Sequence, residues 1–220
     1  MKEQVRDQIY SLIAEGVEKF PSMDVFANRE SKFSEQASSS LLHCQLCSLS
    51  QTRKKVLVSP EFQKKKFFIL SEFPEEGDEN SLSRFLYSEK SSSNLMVKLM
   101  EKLGILEQCH FSFAIKCHPE KGIPENSLSL CTQHHLLIEL QKVNPEVIFC
   151  FGPRSLFALA GLDKSIQPSN LIENSSKFIF RIQNQTKSAF FLSSGRDLQC
   201  FPHWRGQVWR FLEQFKLNNH

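Results

Sequence analysis

No apolar run in these 220 residues approaches the roughly 20 needed to cross a bilayer, which excludes a membrane-spanning helix. The opening MKEQVRDQIYSLIAEG lacks the basic n-region and apolar h-region of a signal peptide. A cytoplasmic location with reduced thiols is therefore expected. A strong charge imbalance is also missing. The net charge of +3 does not by itself announce a nucleic-acid partner. No internal repeat occurs, so a solenoid or propeller is excluded. What remains, 40% hydrophobic and 23% charged residues, describes a soluble globular chain able to bury one sizeable core.

Charge is uneven along the chain. Arg53, Lys54, Lys55, Lys64, Lys65 and Lys66 crowd one stretch, and Glu72 to Glu79 form an acidic one. Such runs are commonly solvated loops; the basic one also offers phosphate contacts. Val5, Ile9, Leu12, Ile13, Val17 and Phe20 recur near a 3.6-residue period, so an amphipathic helix opens the chain and Pro21 ends it. Residues 22–40 are polar and finish in SEQASSS, a linker composition. Residues 1–40 thus read as helix plus linker, with the helix available to a protein partner, and residues 41–220 as the main domain.

Four segments have strand character: KKKFFIL (64–70), HFSFAIKC (110–117), EVIFCFG (146–152) and SAFFLSS (188–194). Helical patterns separate or follow them: NLMVKLMEKLGI, CTQHHLLIELQKV, PRSLFALAGL with Pro153 in its first turn, and a last helix from about His203 to Lys216. This alternation predicts a three-layer α/β/α sandwich around a mostly parallel, four-stranded sheet.

The seven cysteines contain one tight pair, Cys44 and Cys47 in C-x2-C, and a looser pair, Cys117 and Cys131. Cys150 lies inside an apolar strand and reads as a small core residue. Four thiolates from two such pairs suit a tetrahedral zinc or an iron–sulfur cluster. A lone redox C-x-x-C, or four unrelated cysteines, fits the same spacing. Pattern alone does not choose.

The order of features adds to this. C-x2-C is followed by SEFPEEGDE, then KCHPEKGIPENSLSLC, then VNPEVIFCFGPRSLFALAGL, and finally VWRFL. From Leu41 to Phe215 the chain resembles the iron–sulfur uracil-DNA glycosylases, the family 4 branch of that superfamily. IKCHP is similar to the family's VKCRP, and NPEVIFCFGPRSLFAL to its P-x-x-I-x-x-x-G-x-x-A-x-x-x-L. The resemblance implies that Cys44, Cys47, Cys117 and Cys131 hold a chiefly structural [4Fe–4S] cluster, with zinc as the alternative. It also implies that the partner is DNA, single-stranded or uracil-containing, within base-excision repair.

By the same resemblance, Glu72 and Pro74 stand where the family has GEAPG, but Ser71 and Glu75 replace its glycines. Phe85 takes the place of the base-stacking ring, with RFLY where the family has PFVG. Phe113 replaces the Asn that reads the base edge, and Ser194 the His that donates to the departing base. Glycosylases of this kind extrude the nucleotide and stabilise charge on both sugar and base. Glu72 and Ser194 are therefore the candidate catalytic pair, and Phe85, Phe113 and Pro74 the candidate base pocket. The expectation is weak or altered uracil excision, with a non-catalytic DNA-binding or interaction protein as the alternative.

Overall fold

A computed structural model describes residues 41–59, 62–81, 85–170, 176–182 and 184–218. The opening helix and the linker of residues 1–40 lie outside the described residues. No helix among the described residues is long and apolar enough to cross a membrane.

Among the described residues the sheet has five strands, which corrects the expected four. Strands β1 (Phe67–Ser71), β2 (Cys109–Phe113), β3 (Val147–Phe151) and β5 (Gln185–Leu192) run parallel, and β4 (Ser176–Ile182) pairs antiparallel with β5. The first three are buried at every residue. That is why β1 and β3 appear in the sequence as near-continuous apolar runs, whereas buried β2 also carries His110 and Ser112. β4 is an edge strand: Phe178 and Phe180 face inward while Lys177, Ile179 and Arg181 are exposed. Its period-2 alternation leaves no continuous run, and so it escaped a search for such runs.

Helices cover both faces. α1 (Asn94–Lys102) crosses from β1 to β2, and α2 (Ser127–Cys131) continues through a π turn (Thr132–Leu136) into α3 (Leu137–Val143). α4 (Pro153–Leu162) follows β3, and α5 (Gly195–Cys200) and α6 (Pro202–Asn218) close the chain. Phe215 of α6 packs edge-on against Phe67 at 6.2 Å, Phe149 at 5.3 Å and Phe190 at 5.3 Å. On the opposite face, Ser112 of β2 donates to Glu139 of α3, which also pairs with buried Lys116 at 2.8 Å. These contacts establish three layers.

The strand order β2-β1-β3-β5-β4 has one functional consequence. The chain leaves β1 for one side, to β2, and returns to the other side for β3. The connections following β1 and β3 therefore diverge, and a crevice opens at the carboxyl ends of these neighbours, where ligands bind in open α/β sheets.

Candidate active-site cavity and cysteine centre

A cavity of about 270 Å³ occupies that crevice. Glu72 enters it from the end of β1, Arg154 from the start of α4, and Ser194 and Asp197 from the start of α5. The Glu72 carboxylate accepts the backbone N–H of Arg154 at 3.0 Å and faces its guanidinium at 3.8 Å. Gly152 makes this arrangement possible. Its backbone, at φ 92° and ψ 158°, lies in a region essentially reserved for glycine, and a Cβ there would come 2.5 Å from Glu72 Cδ. Burial raises the Glu72 pKa, with Arg154 opposing the shift. The cavity thus holds a desolvated carboxylate pinned beside a cation.

Ser194 also lines the cavity, so the structure brings the two candidate catalytic residues together. Its hydroxyl is already engaged. It caps α5 by accepting the Asp197 N–H at 3.2 Å, and it donates to the Asp197 carboxylate at 2.7 Å. The spacing S-x-x-D in SGRD carried this capping signal.

Phe85, Phe113 and Pro74 do not line the cavity. Phe85 packs edge-on against Phe111 at 5.3 Å. Pro74 is buried, and its carbonyl lies 2.9 Å from His118 Nδ1. Phe113 is fully buried and packs edge-on against Tyr87 at 5.1 Å. The Tyr87 hydroxyl in turn is 2.9 Å from Ser71 Oγ. Ser71, which lines the cavity at the end of β1, therefore forms one packed unit with Tyr87 and Phe113.

Cys44, Cys47, Cys117 and Cys131 lie at the other end of the β2 loop. Cys117 lies within electrostatic reach of Cys47 and Cys44, and Cys131 within reach of Cys117 and Cys47. Burial pushes the Cys117 thiol up to about 11 and the Cys131 thiol up to about 12. Arg53 donates to the Cys44 carbonyl and to the Cys117 sulfur, and the backbone N–H of Lys116 points at Cys131. His135, in the π turn, brings Nε2 within 3.2 Å of the Cys44 sulfur. Burial lowers its pKa to about 3, which keeps the imidazole neutral. Among the described residues, no three His, Cys, Asp or Glu side chains gather closely enough for one metal ion. Cys150 is buried in β3, apart from the four as the sequence suggested.

A family model, the Uracil DNA glycosylase superfamily, matches residues 60–212. The chain belongs to that superfamily. No curated protein sequence matches it. The superfamily match spans the cavity residues, together with Cys117 and Cys131, but begins after Cys44 and Cys47. The N-terminal half of the cysteine set is therefore a feature outside the matched superfamily segment.

Two contacts of this superfamily member were not foreseen from sequence. Arg154 shares the cavity with Glu72, and both carboxylate oxygens of Glu75 are bound by Ser92, its Oε2 by the backbone N–H at 2.7 Å and its Oε1 by the hydroxyl. Only the glycine–proline pair ahead of Arg154 hinted that a special backbone was required there. The basic stretch resolves into local pairings: Lys65 donates to the Glu107 carbonyl at 2.7 Å, Lys54 lies 3.8 Å from Glu79, and Arg53 turns toward the cysteines.

Proposed function

We propose that this chain is an iron–sulfur, uracil-DNA glycosylase-like protein that binds DNA and excises uracil weakly or not at all. The observation that carries the reading is the Ser71–Tyr87–Phe113 unit. By the resemblance, Ser71 and Tyr87 stand at family glycines and Phe113 at the base-reading Asn. These three departures pack on one another, so they act together rather than as separate losses. An aromatic pair fills space that glycines would leave open to a nucleotide. It also removes the amide that would pair with the uracil edge, and a base whose polar edge goes unpaired loses affinity and discrimination.

The remaining chemistry agrees. Among the described residues, neither an amide side chain nor an imidazole lines the cavity. Ser194 would have to break its bond to Asp197 before donating to a departing base. Losing such a donor costs about 10²–10³ in rate. Glu72, held by Arg154, retains the position from which a carboxylate can orient water beside a sugar. This leaves water positioning without base recognition, which also favours the second reading, a DNA-binding protein with no glycosylase activity.

For the cofactor, Cys44, Cys47, Cys117 and Cys131 are the residues that would hold a [4Fe–4S] cluster. Their shared neighbourhood and the donors aimed at their sulfurs support it. A tetrahedral zinc, with Zn–S bonds of about 2.3 Å, needs sulfurs within roughly 4 Å of one another. Among the described residues no three such side chains are set for a single ion, and the choice of a cluster over zinc follows the resemblance. When bound, the cluster supplies structural cross-linking of the loop around residue 45 to the β2 loop and α2.

The test is incubation with a uracil-containing oligonucleotide followed by alkali, with iron counted in the same preparation. We expect brown, iron-containing protein and few or no strand breaks. Efficient breakage at uracil would overturn the reading of the pocket, and colourless protein with one zinc would overturn the cluster.

A further inference from the structure

The π turn over Thr132–Leu136 follows Cys131 directly and carries His135. Turns of this kind are uncommon and recur at functional sites. Cys131 comes within electrostatic reach of Cys47, and His135 brings Nε2 to 3.2 Å from the Cys44 sulfur. One stretch of helix thus addresses both members of the C-x2-C pair. We infer that His135 is a positioning residue of the cysteine centre, whose Nε2–H donates to the Cys44 thiolate and draws electron density from that sulfur. This rests on the cluster reading above and adds a residue that the four-cysteine pattern does not contain.

The direction of the bond follows from what each atom can do. A ligating thiolate has lone pairs and no proton, so it can only accept. A neutral imidazole carries one N–H, on either nitrogen. His135 is buried, and its Nδ1 has no hydrogen-bond partner. A proton on Nδ1 would bury an unpaired N–H and turn the Nε2 lone pair against those of sulfur. A proton on Nε2 makes the bond and leaves only one lone pair unmatched. The second arrangement costs less. Coordination by His135 is the competing role, but among the described residues no three His, Cys, Asp or Glu side chains surround one ion. His135 therefore acts on a ligand rather than as one. It has company: Arg53 donates to the Cys117 sulfur and the Lys116 N–H points at Cys131, so three of the four sulfurs face an N–H donor. Such donors orient the ligands, and hydrogen bonds to sulfur are one of the levers that set a cluster's potential.

The experiment compares the full chain, purified without oxygen, with His135→Leu, His135→Gln and His203→Leu. Leu removes the donor, Gln keeps an N–H there, and His203, exposed on α6, is the control. Iron per chain is measured first, then the visible thiolate-to-iron absorption band and the one-electron midpoint potential. The reduced cluster places more negative charge on its sulfurs, so the donor favours reduction. We expect His135→Leu to lower the equilibrium constant for reduction about tenfold, which is about 59 mV for one electron. Its absorption band should move to longer wavelength, and the band decides alone where the cluster accepts no electron. His135→Gln should restore most of both, and His203→Leu should match wild type. If His135→Leu sheds its iron, retention by His135→Gln supports the donor role. Equal change in the Leu and Gln variants, in iron, band or potential, overturns it. Full iron with band and potential unmoved in His135→Leu overturns the inference and leaves the cluster reading standing. Wild-type protein without iron overturns both.

Discussion

The cavity and the cysteine centre are joined by a single loop, yet they depart from the family pattern to opposite degrees. By the resemblance, the chain passes between Phe113 and Cys117, within five residues, from a replaced base-reading position to a retained ligand position. The difference is one of tolerance. A cysteine ligand is hard to replace by a side chain that supplies the same thiolate donor. A base pocket can be filled with hydrocarbon and still fold. Ser71, Tyr87 and Phe113 pack in this way, through one hydroxyl pair and a buried aromatic contact. On the proposed reading, the scaffold and its cysteine corner are kept while recognition at the cavity is rebuilt.

The comparison breaks most sharply at the cysteines. Cys131→Ser should abolish most of the bound iron, read by iron analysis and visible absorbance; full iron retention would detach Cys131 from the centre. The next largest effect is expected at the filled pocket. Phe113→Ala should cost about 3–5 kcal/mol in urea unfolding, because a fully buried ring leaves a cavity behind. A cost under about 1 kcal/mol would mean that the aromatic unit does not hold the fold together. The smallest effect belongs to Ser194→Ala, which removes the α5 cap and should lower stability by about 1 kcal/mol. No further loss of uracil excision should accompany it, since the hydroxyl is committed to Asp197. A selective loss of excision in that variant would restore Ser194 as a working donor.

The extent to which the fold was legible follows from burial. β1, β2 and β3 are buried along their whole length and β5 along its second half, so composition marked them directly. Pro153 at the start of α4 was equally plain, since its missing N–H and fixed φ suit a first turn. β4 was not legible by the same means, because an edge strand shows one face to water and mixes Lys177 and Arg181 with Phe178 and Phe180. At the cavity, Glu72 and Ser194 were found from motif positions. Their partners Arg154 and Asp197 were not assigned, although SGRD contained the cap. Phe85 illustrates the limit of positional transfer: it stands at the family's stacking position, but its ring packs on Phe111 rather than lining the cavity.

By itself the sequence determined the alternation of strands and helices, the near-parallel sheet and the pairing of C-x2-C with two later cysteines as candidates for one centre. Those features depend on local periodicity and on residue chemistry, which are written in order along the chain. Only the tertiary structure decided that Tyr87 closes on Phe113 and that Arg154 holds Glu72 over a glycine. Each of these joins residues from separate loops, and their distances are set by how the strands stack and where the crevice opens.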